Sequence, residues 1–472
     1  MSTTMTKNPE AAPAADAAGS VFAKIAPLAV VTIVAALGTS LVNVVLPLIV
    51  QDYATDMSTV QWATLAFLLA STVLIVPAGW LGDRLGKSRV LLGGIGVFLV
   101  GSLLGALAPN LGLIIIGRAV QGIGAAAMLS LPVALVRQTV RPDQIGRAMG
   151  TIGSSMAAGM AMGPAVGGLL GSTDLGWRGA FLFFLPLTLL AMLLVWKFLP
   201  TSQAEQARRP LDLAGLVVLA LLLGSYALAV TLTPGGWLGT SALLMGSILL
   251  TVLFVRIEKR AAAPLVNFQM LAKLQIMPQL GMTFAGAFVM MTFTIIPPFY
   301  QTMALGLDTG WMGLVMAVGP VMAILSGVPA GILVDRLGAP RMTVLGLSAM
   351  TLAGIAFVTL PPMWGLLGFL LAAVLLTPGN QMFMAGNNTS VMSRADKLEQ
   401  GSVSGLLNLS RYLGFITATA LLSFLFDLAT ASQPGAAGVT LGMQIAFGLA
   451  AVFGLFGVLL SRSAFKRPVS SN

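Results

Sequence analysis

Fourteen apolar runs, each of a length that can cross a bilayer as a helix, limit what this chain can fold into more than any other feature. They lie near 25–49, 60–81, 90–108, 111–136, 146–171, 179–199, 212–232, 237–256, 274–302, 310–333, 342–360, 363–388, 401–426 and 440–461. Backbone inside hydrocarbon must satisfy its own hydrogen bonds, and runs of this length do so as α-helices. Of the 472 residues 57% are hydrophobic and 8% charged, too apolar for a string of soluble domains. The expected fold is all-α: a polytopic membrane protein with 14 transmembrane helices.

An even number of crossings places both chain ends on one side, and Lys and Arg identify that side. With the loops assigned alternately, 22 of the 25 basic residues fall on one face, which we take as cytoplasmic. Arg178 lies in a loop of the other face, and Arg118 and Arg411 lie inside runs. A miscounted run would scramble this asymmetry from the error onward, yet it persists to the C-terminus. The net charge of +10 therefore serves topology in a bilayer; the basic residues form no stripe, which argues against nucleic acid as a partner. The chain has neither cysteine nor histidine, so it lacks thiolate sites, disulfides, the usual proton shuttle and the commonest metal ligand. No metal and no cofactor is expected.

A short charged turn occurs twice. Gly79-Trp80-Leu81-Gly82-Asp83-Arg84-Leu85-Gly86-Lys87-Ser88-Arg89 follows the second run, and Gly331-Ile332-Leu333-Val334-Asp335-Arg336-Leu337-Gly338-Ala339-Pro340-Arg341 follows the tenth, 252 residues later. Glycine permits the reversal, and the carboxylate and guanidinium can tie helix ends together on the wet side. Two copies point to duplicated halves. Residues 1–24, rich in Ala, Thr and Pro, read as a disordered cytoplasmic tail rather than a cleaved signal. An N-terminal six-helix bundle over 25–199 follows, then a linker with two extra transmembrane helices over 200–273, a C-terminal six-helix bundle over 274–461 and a cytoplasmic tail over 462–472.

This arrangement resembles the major facilitator superfamily, specifically its fourteen-helix drug:proton antiporter branch. The duplicated turn matches the loop signature after the second helix. Arg118-Ala-Val-Gln121-Gly122-Ile-Gly124 matches the fourth-helix signature, and Gly159-Met-Ala-Met-Gly163-Pro164-Ala-Val-Gly167-Gly168 looks like the fifth-helix antiporter signature, followed by Trp177-Arg178 and Phe181. Asn43-Val-Val-Leu-Pro47 fits the branch's opening motif. Two positions depart from the pattern: Gly38 stands where the branch often has an aspartate, and Phe184 where it usually has an asparagine near the sixth-helix proline. The resemblance implies alternating access, export, and protons as coupling ion at the bacterial plasma (inner) membrane.

The residues carry a physical reading of their own. Gly159, Gly163, Gly167 and Gly168 lie along one helical face, where small residues let backbones approach, and Pro164 loosens the ladder; we read a bending interface, with ordinary packing as the alternative. Asp83, Arg84 and Arg89, with Asp335 and Arg336, are expected in a gating charge network, although an exposed ion pair contributes only about 0–1 kcal/mol. Arg118 and Gln121 are candidates for coupling. A central Arg costs about 2.5–3.5 kcal/mol on insertion scales, so Arg118 and Arg411 should meet a wet cavity or polar partners, with Asn43 able to satisfy Arg118 and Asn408 near Arg411. Trp62, Phe299, Tyr300 and Asn380 complete the candidate cavity with Asn43, Asn408 and Arg411.

No acidic residue falls near the middle of any run, leaving Asp83, Asp335 and Asp427 as candidate proton carriers. Buried arginines without a central carboxylate favour neutral or anionic cargo. The expected function is secondary active export of drugs or small metabolites; import of a small organic nutrient by the same fold is the alternative. An enzyme is not expected, since no catalytic constellation is visible. Nothing in the sequence sets an oligomeric state.

Overall fold

The computed structural model describes residues 14–140, 145–199, 212–231, 236–261, 264, 265, 271, 273–394 and 400–465. Among them are fifteen α-helices: α1 (Ala14–Tyr53), the single turn α2 (Met57–Val60), α3 (Trp62–Leu85), α4 (Lys87–Ala106), α5 (Leu111–Thr139), α6 (Ile145–Gly171), α7 (Trp177–Phe198), α8 (Leu213–Thr231), α9 (Gly236–Glu258), α10 (Met277–Phe299), α11 (Thr309–Met316), α12 (Val318–Leu337), α13 (Ala339–Met392), α14 (Gln400–Ser432) and α15 (Ala436–Phe465). A π-helical turn, Tyr300–Ala304, extends α10.

Each of the fourteen runs falls on helix, and among the described residues eleven continuous stretches are long and apolar enough to cross a membrane. One of them, α13, holds two runs. At 1.5 Å per residue its 54 residues would reach about 81 Å, against a hydrocarbon core of about 30 Å. The chain reverses inside it at Gly365, whose φ of 55° suits glycine, just after Pro361 and Pro362. Helices α6 and α8 fall outside the eleven, so the count of fourteen crossings exceeds what the length and composition of the described helices establish.

Helix α1 begins at Ala14, inside the stretch expected to be a tail, where Ala14, Ala15, Ala17 and Ala18 favour helix. Residues 1–13, residues 466–472, Arg141, and Arg208 and Arg209 with the rest of 200–211 lie outside the described residues.

The first half is built on α5, against which α3 and α4 both pack, and on α1, which lies along α6 and α7. In the second half α10 packs on α14 and α15, while α13 packs on α12 and α15. Helices α8 and α9 form a hairpin with the Ser225 and Ser247 hydroxyls 3.0 Å apart; α8 rests on α3 and on α14, one helix from each half. Glycines set the closest approaches. A Cβ at Gly101 would lie 2.5 Å from the Gln121 amide nitrogen, and one at Gly124 would lie 2.5 Å from that of Phe98, so α4 and α5 meet backbone to backbone. Large apolar side chains such as Leu189, Trp196, Ile248 and Ile324 stand exposed around the perimeter, a surface suited to lipid.

Candidate functional site

Both copies of the charged turn rest on the same backbone event. Gly86 (φ 97°) ends α3 and opens α4, with its N–H donated to Gly82 O; Gly338 (φ 86°) ends α12 and opens α13, with its N–H donated to Val334 O. Only glycine adopts such φ values without strain. The side chains differ between copies. Asp83 pairs with Lys87 at 3.0 Å, an i,i+4 contact, whereas Arg84 lies over the Trp80 ring at 5.2 Å. The expected tie between carboxylate and guanidinium is thus made by a lysine. In the second copy the matching position is Ala339, and Asp335 and Arg336 are exposed without an ion pair among the described residues. Arg89 lines an apolar groove of about 600 Å³ between α3 and α4, floored by Ile123 and Ala127.

Arg118 is fully buried. Its Nε donates to Ala63 O at 3.1 Å, its Nη1 donates to Gln121 Oε1 at 2.9 Å, and its guanidinium lies 4.2 Å from the centroid of the Phe67 ring. Gln121 Nε2 passes the chain on to Ser102 Oγ at 2.8 Å, which donates to Phe98 O. The bare Gly101 lets α4 come close enough for that contact. A carbonyl, an amide and a ring hold the cation with no carboxylate, and Nη2 has no partner among the described residues. Asn43 does not satisfy Arg118 as the sequence led us to expect. Its Nδ2 donates to Thr39 O within α1, and its Oδ1 accepts from the Thr64 hydroxyl, which engages both ends of the amide elsewhere.

In the second half Arg411 is half-buried; Nη1 donates to Asn408 Oδ1 at 2.9 Å, and Nη2 reaches Met384 Sδ at 3.8 Å. Its neighbour Tyr412 is buried and packs edge to face on Phe415 at 5.8 Å. Phe299 packs against Phe426, and the Tyr300 hydroxyl donates to Pro361 O at 3.4 Å, so both are enclosed inside the second half. Trp62 is partly buried at the start of α3, and Asn380 is half-buried in α13. The structure brings Arg118 together with Gln121 and Arg411 with Asn408; none of the candidate cavity residues lines the groove at Arg89 or the cleft at Gln51 and Asp308.

The glycine face of α6 is fully used. A Cβ at Gly159 would lie 2.6 Å from Ile33 O, one at Gly163 would press on Ser40 and lie 2.8 Å from Leu41 N, and one at Gly167 would lie 2.6 Å from Leu41 O. These three seat α6 on α1. Gly168, one position on, instead meets Gly313 of α11, in the other half. This contact lies at the face opposite the charged turns, beside a cleft of about 240 Å³ between Pro47, Leu48 and Gln51 of α1 and Thr302, Asp308 and Met312. On the same face Asp427 of α14 accepts from the Ser58 N–H of α2 at 2.7 Å. Trp177 Nε1 donates to Asp52 at 2.6 Å, and Arg178 donates to Ala108 O. The halves are therefore joined at that face.

Three glutamines, Gln61, Gln279 and Gln301, passed unnoticed in the sequence. Among the described residues, Gln61 is buried with both amide atoms unpartnered, and Gln301 is buried with Oε1 unpartnered. At the basic end of the second half, Asn387 Nδ2 donates to Thr283 Oγ1 at 2.8 Å, and Arg394 donates to Gln275 O at 3.0 Å, with the Gln279 amide able to accept from it when its oxygen is turned towards the guanidinium. A glutamine set in an apolar run was the available signal for Gln61, Gln279 and Gln301.

The model of a family described as Major Facilitator Superfamily matches residues 28–419. The chain is 27% identical over 389 residues to a riboflavin transporter of Clostridioides difficile, covering 82% of this chain and 84% of that protein. It is 28% identical over 418 residues to the tetracenomycin C resistance and export protein of Streptomyces glaucescens, covering 88% and 77%. A crystal structure of a D-xylose-proton symporter superposes with a TM-score of 0.69 over 94% of this chain and 97% of that one; at 14% identity this is a likeness of fold.

Proposed function

This chain belongs to the major facilitator superfamily and is a multi-pass secondary transporter, and we propose that it exports small drugs or metabolites, neutral or anionic in preference, by alternating access as a proton antiporter. What supports the export reading is the resemblance of the α6 glycine run to the fifth-helix antiporter signature; in the structure three of its glycines seat the helix on α1 and Gly168 meets Gly313 in the other half. The resistance and export function named for the Streptomyces relative supports the same direction. Buried Arg118, with a spare donor and no carboxylate, favours cargo that is uncharged or negative. For an anion, an inside-negative potential adds about 2.3 kcal/mol per charge per 100 mV in the outward direction.

In this reading the chain crosses fourteen times, the faces of Asp83 and Asp335 are cytoplasmic, and both ends of the chain lie on that side of a bacterial inner membrane. Asp83, Arg84, Arg89, Asp335 and Arg336 act at the cytoplasmic gate, Arg118 and Gln121 in coupling, and Asn43, Trp62, Phe299, Tyr300, Asn380, Asn408 and Arg411 form or support the cargo path. Nutrient import is the second reading, favoured by the riboflavin transporter of Clostridioides difficile. Expression in a host lacking its own exporters tests the choice: lower cellular accumulation of neutral or anionic compounds supports export, and higher accumulation of riboflavin or a similar nutrient supports import.

A further inference from the structure

We propose that Asp427 and the single turn α2 form an outer latch, in which the carboxylate of one half docks on a backbone amide that opens a helical turn of the other half and holds the outer side shut. This rests on the reading above only for the word outer; the junction itself is geometric.

The turn is built to be gripped. Asp56 caps it from its own chain, with Thr59 N donating to Oδ1 at 2.6 Å, which leaves the Ser58 N–H to be met by another group. Asp427 supplies that group from 369 residues away, accepting from the Ser58 N–H at 2.7 Å. A charge-assisted bond of this length is among the stronger kinds. Among the described residues no cation pairs with the carboxylate. On the elements packed against Asp427, Arg84 of α3 and Arg462 of α15 lie at the opposite ends of their helices, and Arg411 on α14 itself is 16 residues away, about 24 Å along the axis. Asp56 is the one other ionisable group acting on it among the described residues. On this face, Asp427 is also the described carboxylate whose hydrogen bond joins the two halves. Its function is therefore positional: the amide of Ser58 can be reached only when α14 has swung against the first half.

The chain has no cysteine, so one introduced thiol reports access cleanly. Val44 is fully buried in the wall of the seam cleft, and Val44→Cys places the reporter there. Its labelling by a membrane-impermeant maleimide is measured in right-side-out and inside-out vesicles, in the parent and with Asp427→Ala, Asp427→Asn, Ser58→Pro and the pair Asp427→Ala with Ser58→Pro. Proline removes the same N–H from the other partner at a first-turn position that tolerates it. The expected result is faster labelling from outside, on the order of ten-fold for Asp427→Ala and for Ser58→Pro, less for Asp427→Asn, with the pair no faster than either alone. Unchanged labelling, or effects of the pair that multiply, would overturn the latch. A rise seen only in inside-out vesicles would leave the latch standing and contradict the sidedness of the proposed function. Loss of export with unchanged labelling would do the reverse.

Discussion

Gly38 lies beneath the ring of Phe98, so closely that a Cβ on it would be 3.0 Å from the ring's Cζ and 3.4 Å from the Phe67 ring. Phe98 in turn meets Phe184 edge to face at 5.3 Å. The two positions where the chain departs from the antiporter pattern therefore meet on one ring, and the space an aspartate would need is filled by phenyl groups. Phe67, the second neighbour of Gly38, is the ring that carries Arg118.

Gly38→Asp should consequently destabilise the protein by about 1–3 kcal/mol through overpacking, and Phe98→Leu in the same chain should recover part of that loss. Thermal unfolding in detergent measures both. A fully tolerated Gly38→Asp would mean that the ring moves aside and that the site is open to a carboxylate.

Arg118→Lys keeps the charge but loses the fork that reaches Ala63 O and Gln121 together and the planar contact with Phe67. Transport should fall at least ten-fold. Gln121→Ala should have the milder effect, about 1–3 kcal/mol in stability, since it leaves buried partners unmet. Equal transport by Arg118→Lys and the parent would reduce the arginine to a point charge.

On α6, Gly163→Ala forces a methyl group onto Ser40 and within 2.8 Å of Leu41 N, whereas Gly153→Ala meets nothing within 4 Å. The first should abolish transport while the protein still inserts in the membrane, and the second should be silent. Initial rates normalised to the amount of inserted protein make the comparison.

Asp83→Asn and Lys87→Ala should impair transport similarly, without lowering expression, because they break the same 3.0 Å pair. Asp335→Asn should do less, since Ala339 stands where the first copy has Lys87 and no ion pair is lost among the described residues. Unchanged transport with Asp83→Asn would remove the cytoplasmic gate from the account.

Asp56 sets the pH range of the outer turn. Burial pushes its carboxyl up, but hydrogen bonds from Thr59 and Ser58 outweigh burial and hold it below the ordinary carboxylate range. A value lowered by folding contributes stability above the unfolded value and loses it as pH falls through the folded one. Protection of the Thr59 amide from hydrogen exchange, corrected for intrinsic rate, should stay constant from pH 7 to about 5, while Asp56→Ala should weaken the cap by about 0.5–2 kcal/mol at every pH in that range.

Helices and turns were legible because each is written locally. The length of the apolar runs gives the helices, and the repeated Gly86 and Gly338 give the turns, both observed at positive φ. The i,i+3 spacing of Arg118 and Gln121 on one helix permits their bond, but the partner expected for Arg118 was Asn43. What escaped depends on pairings between distant segments. Asn43 spends its amide on Thr39 and Thr64, Tyr300 turns into its own half towards Pro361, and Asp427 finds Ser58 across the whole chain. No spacing in a single sequence encodes such partners. The reversal at Gly365 was visible as a gap of two prolines, whereas the loss of symmetry between the charged turns was written in Lys87 and Ala339 and needed the structure to give it meaning.

The most direct test of the central claim is uptake into inside-out vesicles of matched neutral, anionic and cationic compounds, with the pH gradient and the membrane potential collapsed separately. Neutral or anionic compounds should accumulate, and their accumulation should be lost when the pH gradient is removed. Accumulation of cations alone, or uptake seen only in right-side-out vesicles, would contradict the claim.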